Sequence, residues 1–147
     1  MRRLSFALPT LAAAALLVAG CAPQPTESNA DDFEGKEKDV AEAVFDFRDA
    51  VAKQDEKKVC DAFFTSELRE EIERVGKASD RGTICADVVA DTIQDIDATD
   101  IEIEDISISG TTATVKIKTD KSTGDDPVDT LTLAEERGWR ISALPGS

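Results

Sequence analysis

Histidine and tyrosine are absent from this 147-residue chain, methionine and tryptophan occur once each, and there are three cysteines. Without an imidazole there is no side chain that ordinarily changes charge near neutral pH, and without a phenol there is no tyrosine hydroxyl to hold an oxyanion. Any proton transfer would fall to Asp, Glu, Lys or Cys. Ser-centred elbows, phosphate-binding glycine loops and Cys/His metal spacings are missing as well, so the chain is expected not to be an enzyme and to need no cofactor. Basic residues are also scarce: 17 Lys and Arg stand against 31 Asp and Glu, a net charge of −14. No basic stripe offsets that balance, which excludes a nucleic-acid backbone as partner and argues against electrostatic docking on anionic lipid. Long apolar runs are lacking too. The longest, Leu4–Val18, is about 15 residues, short of the roughly 20 that cross a bilayer as a helix.

What is present at the amino end is an export signal. Arg2 and Arg3 precede the apolar stretch, and small residues lead into Cys21. A cleaved signal without lipid and an uncleaved anchor would share these features. Val18-Ala19-Gly20-Cys21 resembles the lipobox of bacterial lipoproteins. In that family the thiol receives a diacylglyceryl group and becomes the first mature residue, and more than one acyl chain, such as palmitate, anchors stably. The resemblance implies a signal peptide over 1–20, lipidation at Cys21, and a cell-membrane location facing outside the cytoplasm. Arg2-Arg3 followed by Leu4-Ser5-Phe6 makes a poor twin-arginine signal.

Outside the cytoplasm the remaining pair, Cys60 and Cys85, reads as a disulfide, with two buried free thiols as the alternative. Closing a loop of about 25 residues contributes roughly 3.5 kcal/mol in the chain-entropy model. Residues 21–38, with Pro23, Pro25, Ser28, Asn29 and Gly35, form a spacer, and 39–147 a single domain.

Within that domain Asp39 and Glu42 suggest a helix start, followed by Val40, Ala43, Val44, Phe47 and Val51 on one apolar face. Asp55 can cap a second helix, Glu56–Phe64. Ser66 can cap a third that turns Leu68, Ile72 and Val75 inward, and Gly76–Gly82 reads as turn or short strand. Thr83 can cap a fourth carrying Ile84, Cys85, Val88, Val89 and Ile93.

Beyond Gln94 the period becomes two. Ile101 and Ile103 share one parity, Ile106 and Ile108 the other, so a bulge is expected near Glu104-Asp105. Ser109-Gly110 signals a tight turn. Strands follow over Thr112–Thr119, Val128–Ala134 and Gly138–Leu144. The order predicts an α+β domain with N-terminal helices packed on a curved antiparallel sheet of about four strands.

Asp55-Glu56-Lys57-Lys58-Val59-Cys60, Phe63-Phe64-Thr65, Cys85 opening a helix and the final Gly138-Trp139-Arg140-Ile141 together resemble small NTF2-like lipoproteins of actinobacterial type. That resemblance covers 39–144 and implies a cone of sheet around helices with an interior pocket, for which Phe47, Phe63 and Trp139 are candidate linings. Core packing is the alternative use of the same three rings.

Asp95, Asp97, Asp100, Glu102, Glu104 and Asp105 lie close together without an intervening Lys or Arg. Asp95, Asp97 and Asp100 are weak calcium candidates, since the glycine and final glutamate of an EF-hand loop are missing. A solvated acidic face is the simpler reading. Asp125-Asp126 before Pro127 reads as turn chemistry.

Two functions follow as expectations. One is a non-catalytic module, monomeric or weakly dimeric, that binds a small apolar ligand or an envelope protein. The other is a structural or accessory envelope protein using its acidic face; a small-molecule enzyme of NTF2-like type is the remoter option. A lined cavity of several hundred Å³ would favour the first, and a filled cone the second.

Overall fold

The computed structural model describes residues 29–94, 101–119 and 128–145. The signal peptide, Cys21, Asp95, Asp97, Asp100 and Asp125–Pro127 therefore lie outside the described residues.

The chain enters through a 3-10 turn, Ala30–Asp32, and then forms four helices: α1 Gly35–Ala52, α2 Glu56–Lys58, α3 Ser66–Ala78 and α4 Cys85–Gln94. A π-helical turn, Val59–Phe63, continues α2. Four strands follow, β1 Ile101–Ser109, β2 Thr112–Thr119, β3 Asp129–Glu135 and β4 Trp139–Ala143, as an antiparallel sheet in the order β1-β2-β3-β4. This is the expected α+β arrangement.

Helix α1 begins earlier than the sequence suggests. Residues assigned to the spacer, Gly35–Lys38, form the first turn of α1, and Ala30 and Phe33 pack against the core. The capping box is made by Asn29 and Asp32 on the 3-10 turn, not by Asp39 and Glu42. Asp55 does cap α2, accepting from the Lys58 amide at 3.0 Å. Thr65 rather than Ser66 caps α3, accepting from the Leu68 amide at 3.2 Å while itself buried. At α4 a partner comes from another helix: the Cys85 amide donates to Glu73 of α3 at 3.2 Å.

Helix α3 runs through Gly76, where a turn was expected. The glycine is buried against α4, and a Cβ added there would lie 2.2 Å from Val88 Cγ2. Val75 is 54% exposed and Ile84 53%, both against expectation.

Helices α1 and α3 end alike. Gln54 and Asp80 adopt positive φ, and the next residues return a bond to the helix, Asp55 to the Ala50 carbonyl at 3.0 Å and Arg81 to the Gly76 carbonyl at 3.0 Å. These are Schellman-type ends built without glycine.

The sheet follows its alternation closely. Ile103 pairs with Ile117 and Asp105 with Lys116, which leaves Glu104 as the extra residue of a bulge. The slip keeps Ile103 and Ile106 both inward. Gly110, at φ +63, supplies the conformation a two-residue hairpin demands. Ile103, Ile106, Ala113, Val115, Ile117, Leu131, Leu133, Trp139 and Ile141 are buried on the inner face. Helix α1 touches both edge strands, β1 and β4, so the sheet curls around it. The β4 edge is covered: Phe64 bridges to Ile141, and the Thr65 amide donates to the Ile141 carbonyl at 2.9 Å. That closes backbone groups which would otherwise invite another strand.

Candidate functional site

Helix α1 buries Val40, Val44 and Val51 on one side, and a second set of residues spaced three and four apart lines the other. Asp39, Glu42, Asp46 and Asp49 form that second face and are all exposed. Phe45 sits between the two faces. It is buried to 9% exposure, and the Arg48 guanidinium lies 4.9 Å from its ring centroid. Arg48 also pairs with Asp49 at 3.0 Å, which draws its charge along the helix rather than toward Glu42 and Asp46.

Over this flank folds the 3-10 turn. Asn29 Oδ1 accepts from the Asp31 amide at 2.8 Å, and Asp32 Oδ2 accepts from the Asn29 amide at 2.9 Å. Lys38 of α1 pairs with Asp31 at 2.6 Å, locking the turn to the helix. This hydrogen bond and charge hold the Asp31 carboxyl below, and the Lys38 ammonium above, their ordinary pKa values. Between turn and helix lies an open depression of about 260 Å³, lined by Asn29, Ala30, Glu42, Phe45, Asp46 and Arg48. Its walls combine apolar surface with carboxylate and amide groups. It can therefore hold a small flat molecule that donates hydrogen bonds.

The interior is a different environment. Phe47 packs edge-on to Phe63 at 6.0 Å and against Phe64 at 5.9 Å. Phe63, Phe64 and Trp139 belong to one buried cluster with Leu133 and Ile141, and Phe47 packs against it. Thus Phe63 and Trp139 lie within the core, Phe47 packs against it, and none of the three lines the depression. Cys60 and Cys85 form the expected disulfide, joining the π-helical turn to the first residue of α4.

The acidic run on β1 meets its own counter-charges. Glu102 stands opposite Lys118 and Asp105 opposite Lys116 in the β1–β2 register, and Lys118 Nζ lies 2.8 Å from Glu104. Cross-strand pairs of this kind stabilise a solvent face. Among the described residues no group of three potential ligands could hold a metal ion.

A second polar cluster surrounds Asp61. Lys57 donates to its carboxylate, Arg69 lies 3.6 Å away, and Arg140 donates to the carbonyls of Asp61 at 2.9 Å and Phe64 at 3.1 Å. The Lys57 hydrogen bond and charge, aided by the two guanidinium groups, hold the Asp61 carboxyl below its ordinary pKa and raise that of Lys57.

The model of the family described as "Putative lumazine-binding" matches residues 35–143. The chain belongs to the lumazine-binding family. Among curated proteins and among solved structures, none matches it. The matched span runs from the first residue of α1 to the last of β4, so the family unit is the whole α+β layer pair. Helices on a curled four-stranded antiparallel sheet are the NTF2-like arrangement, and this member of the lumazine-binding family keeps it.

Sequence reasoning missed the depression in this lumazine-binding-family domain. One signal was available, the regular recurrence of Asp39, Glu42, Asp46 and Asp49 opposite the core face. The other half of the site was not readable, because it depends on Asn29 and Ala30 folding back over α1.

Proposed function

We propose that this protein is a non-catalytic small-molecule-binding module held on the outer side of the membrane by lipid on Cys21. The observation that carries the binding reading is the depression beside Phe45, where Glu42, Asp46 and Asn29 converge on an apolar wall. The family's description supports a ligand of the lumazine kind, a planar bicyclic dione with ring N–H donors. About 260 Å³ is near the small end of ligand sites, which run from about 300 to 1,000 Å³, so a compact heterocycle suits it better than a long chain. Carboxylates beside an apolar wall accept N–H donors while that wall supplies contact area. The ligand therefore differs from the small apolar compound expected of an interior pocket. No cofactor enters this reading, and the lack of His and Tyr supports a binding rather than a catalytic role.

Titration of the full chain with lumazine, followed by the ligand's own fluorescence anisotropy, tests the proposal. Saturable binding is expected, weakened on the order of tenfold by Glu42→Gln with Asp46→Asn, since both remove charged acceptors. No saturation, or equal affinity in the variant, would overturn it. The anchor is tested separately: labelled palmitate should enter the wild-type chain in cells and fail to enter Cys21→Ser.

A second reading has one observation in its favour, the packed interior around Phe47, Phe63 and Trp139. On that reading the domain is an accessory envelope protein whose acidic α1 face meets a basic partner. Loss of partner capture on neutralising Asp39 and Asp49, with lumazine binding absent, would support it.

A further inference from the structure

Arg69 carries the one buried side-chain nitrogen without a hydrogen-bond partner among the described residues, its Nε. Buried donors are almost always satisfied, and an orphan calls for a missing water or ion. The surroundings narrow the choice. Lys57, Arg69 and Arg140 converge on Asp61, with Glu136 3.9 Å from Arg140 Nε, so three cations face two carboxylates in a chain that is otherwise strongly acidic. Asp61 does not satisfy Arg69: the closest approach is 3.6 Å, from the other side of the guanidinium. Asp61 is already held by Lys57, which could keep it if it moved away.

We infer that Arg69, backed by Arg140, forms a second binding site for a small oxyanion, a carboxylate or phosphate group, with Asp61 as its resting stand-in. A guanidinium offers two parallel donors in one plane, and two-oxygen anions match that fork. Leu68 beside Arg69 is buried in the core, which fixes the backbone that carries the guanidinium, and the Arg69 side chain as a whole is about a third exposed although its Nε is buried. Arg140 is held by the Asp61 and Phe64 carbonyls and so is fixed in place before any anion arrives. The site lies at the junction of the π-helical turn, α3 and β4, involves none of the residues lining the depression, and stands whether or not lumazine binds.

The test follows the Arg69 Nε–H resonance of the full chain in detergent micelles while inorganic phosphate or acetate is added, with chloride holding ionic strength constant. The resonance should move and saturate with phosphate, acetate or both, and the tighter of the two identifies the preferred group. Asp61→Asn should tighten binding on the order of tenfold by removing the competing carboxylate. Arg69→Lys, followed through the backbone amide resonances of Asp61, Phe64 and residue 69, which should also move and saturate in the wild-type chain, should show no saturable shift while the fold is retained, because a point charge lacks the fork. A resonance that does not move, one that moves equally with chloride, or an Asp61→Asn chain with unchanged affinity would overturn the inference.

Discussion

The helical layer and the sheet are held by different means. In the sheet, each strand pairs with its neighbour in sequence, alternate residues go inward, and opposite charges face each other across β1 and β2. In the helical layer the decisive contacts are distant: the Cys60–Cys85 bond, Glu73 at the start of α4, the Arg140 clamp on the Asp61–Phe64 turn, and Gly76 against Val88. The sheet is a product of local pattern. The helices owe their positions to a few specific ties.

If so, cutting a tie should damage one layer more than the other. The largest effect is expected from Cys60→Ser with Cys85→Ser, which frees a loop of about 25 residues and costs roughly 3.5 kcal/mol. Hydrogen exchange should then lose protection in α4 well before β2, and equal loss in both would break the distinction. Next is Leu133→Ala, in a fully buried position of β3, with an expected loss of about 3 kcal/mol by urea denaturation. Its effect should spread through both layers, because Leu133 belongs to the shared core.

Gly76→Ala should destabilise by about 2 kcal/mol, since the new methyl overlaps Val88 and overpacking forces the helices apart. Adding Val88→Ala should recover part of that loss, and a neutral single variant would show that α3 and α4 do not approach so closely. Smaller still and opposite in sign, Gln54→Gly should raise stability by about 1 kcal/mol by relieving a left-handed residue at the end of α1. The smallest effect concerns pH. Asp31 and Asp61 have lowered pKa values in the folded chain, chiefly through Lys38 and Lys57. Their contribution is present above the unfolded carboxylate pKa and fades as pH falls through the lower folded value. Thermal melts of Asp31→Asn and Asp61→Asn should therefore be less acid-sensitive than wild type.

The contrast also explains what could be read from residues alone. The parity change between Ile103 and Ile106, the Gly110 turn and the Gly138-Trp139 hairpin are local signals, and the strands stand within a residue or so of the expected positions. Asp55 is equally local and caps α2 as expected. Val75 and Ile84 were misplaced because a helix period identifies an apolar stripe without saying which neighbour it meets. Gly76 looked like punctuation, yet it serves close packing between helices. The depression was hidden for the same reason, since it needs the 3-10 turn laid across α1, a contact with no periodic signature.

Location of the ligand is the most direct test of the central claim, and the chain carries its own reporter. Trp139 is the single tryptophan and sits inside the sheet's inner face, away from the depression's lining residues. Lumazine titration should shift the backbone amide resonances of Glu42–Arg48 and Ala30 while those of Trp139 and Phe63 stay fixed. Shifts concentrated at Trp139, Phe47 and Phe63 would place the ligand in the interior and contradict the account, as would the absence of saturable shifts anywhere.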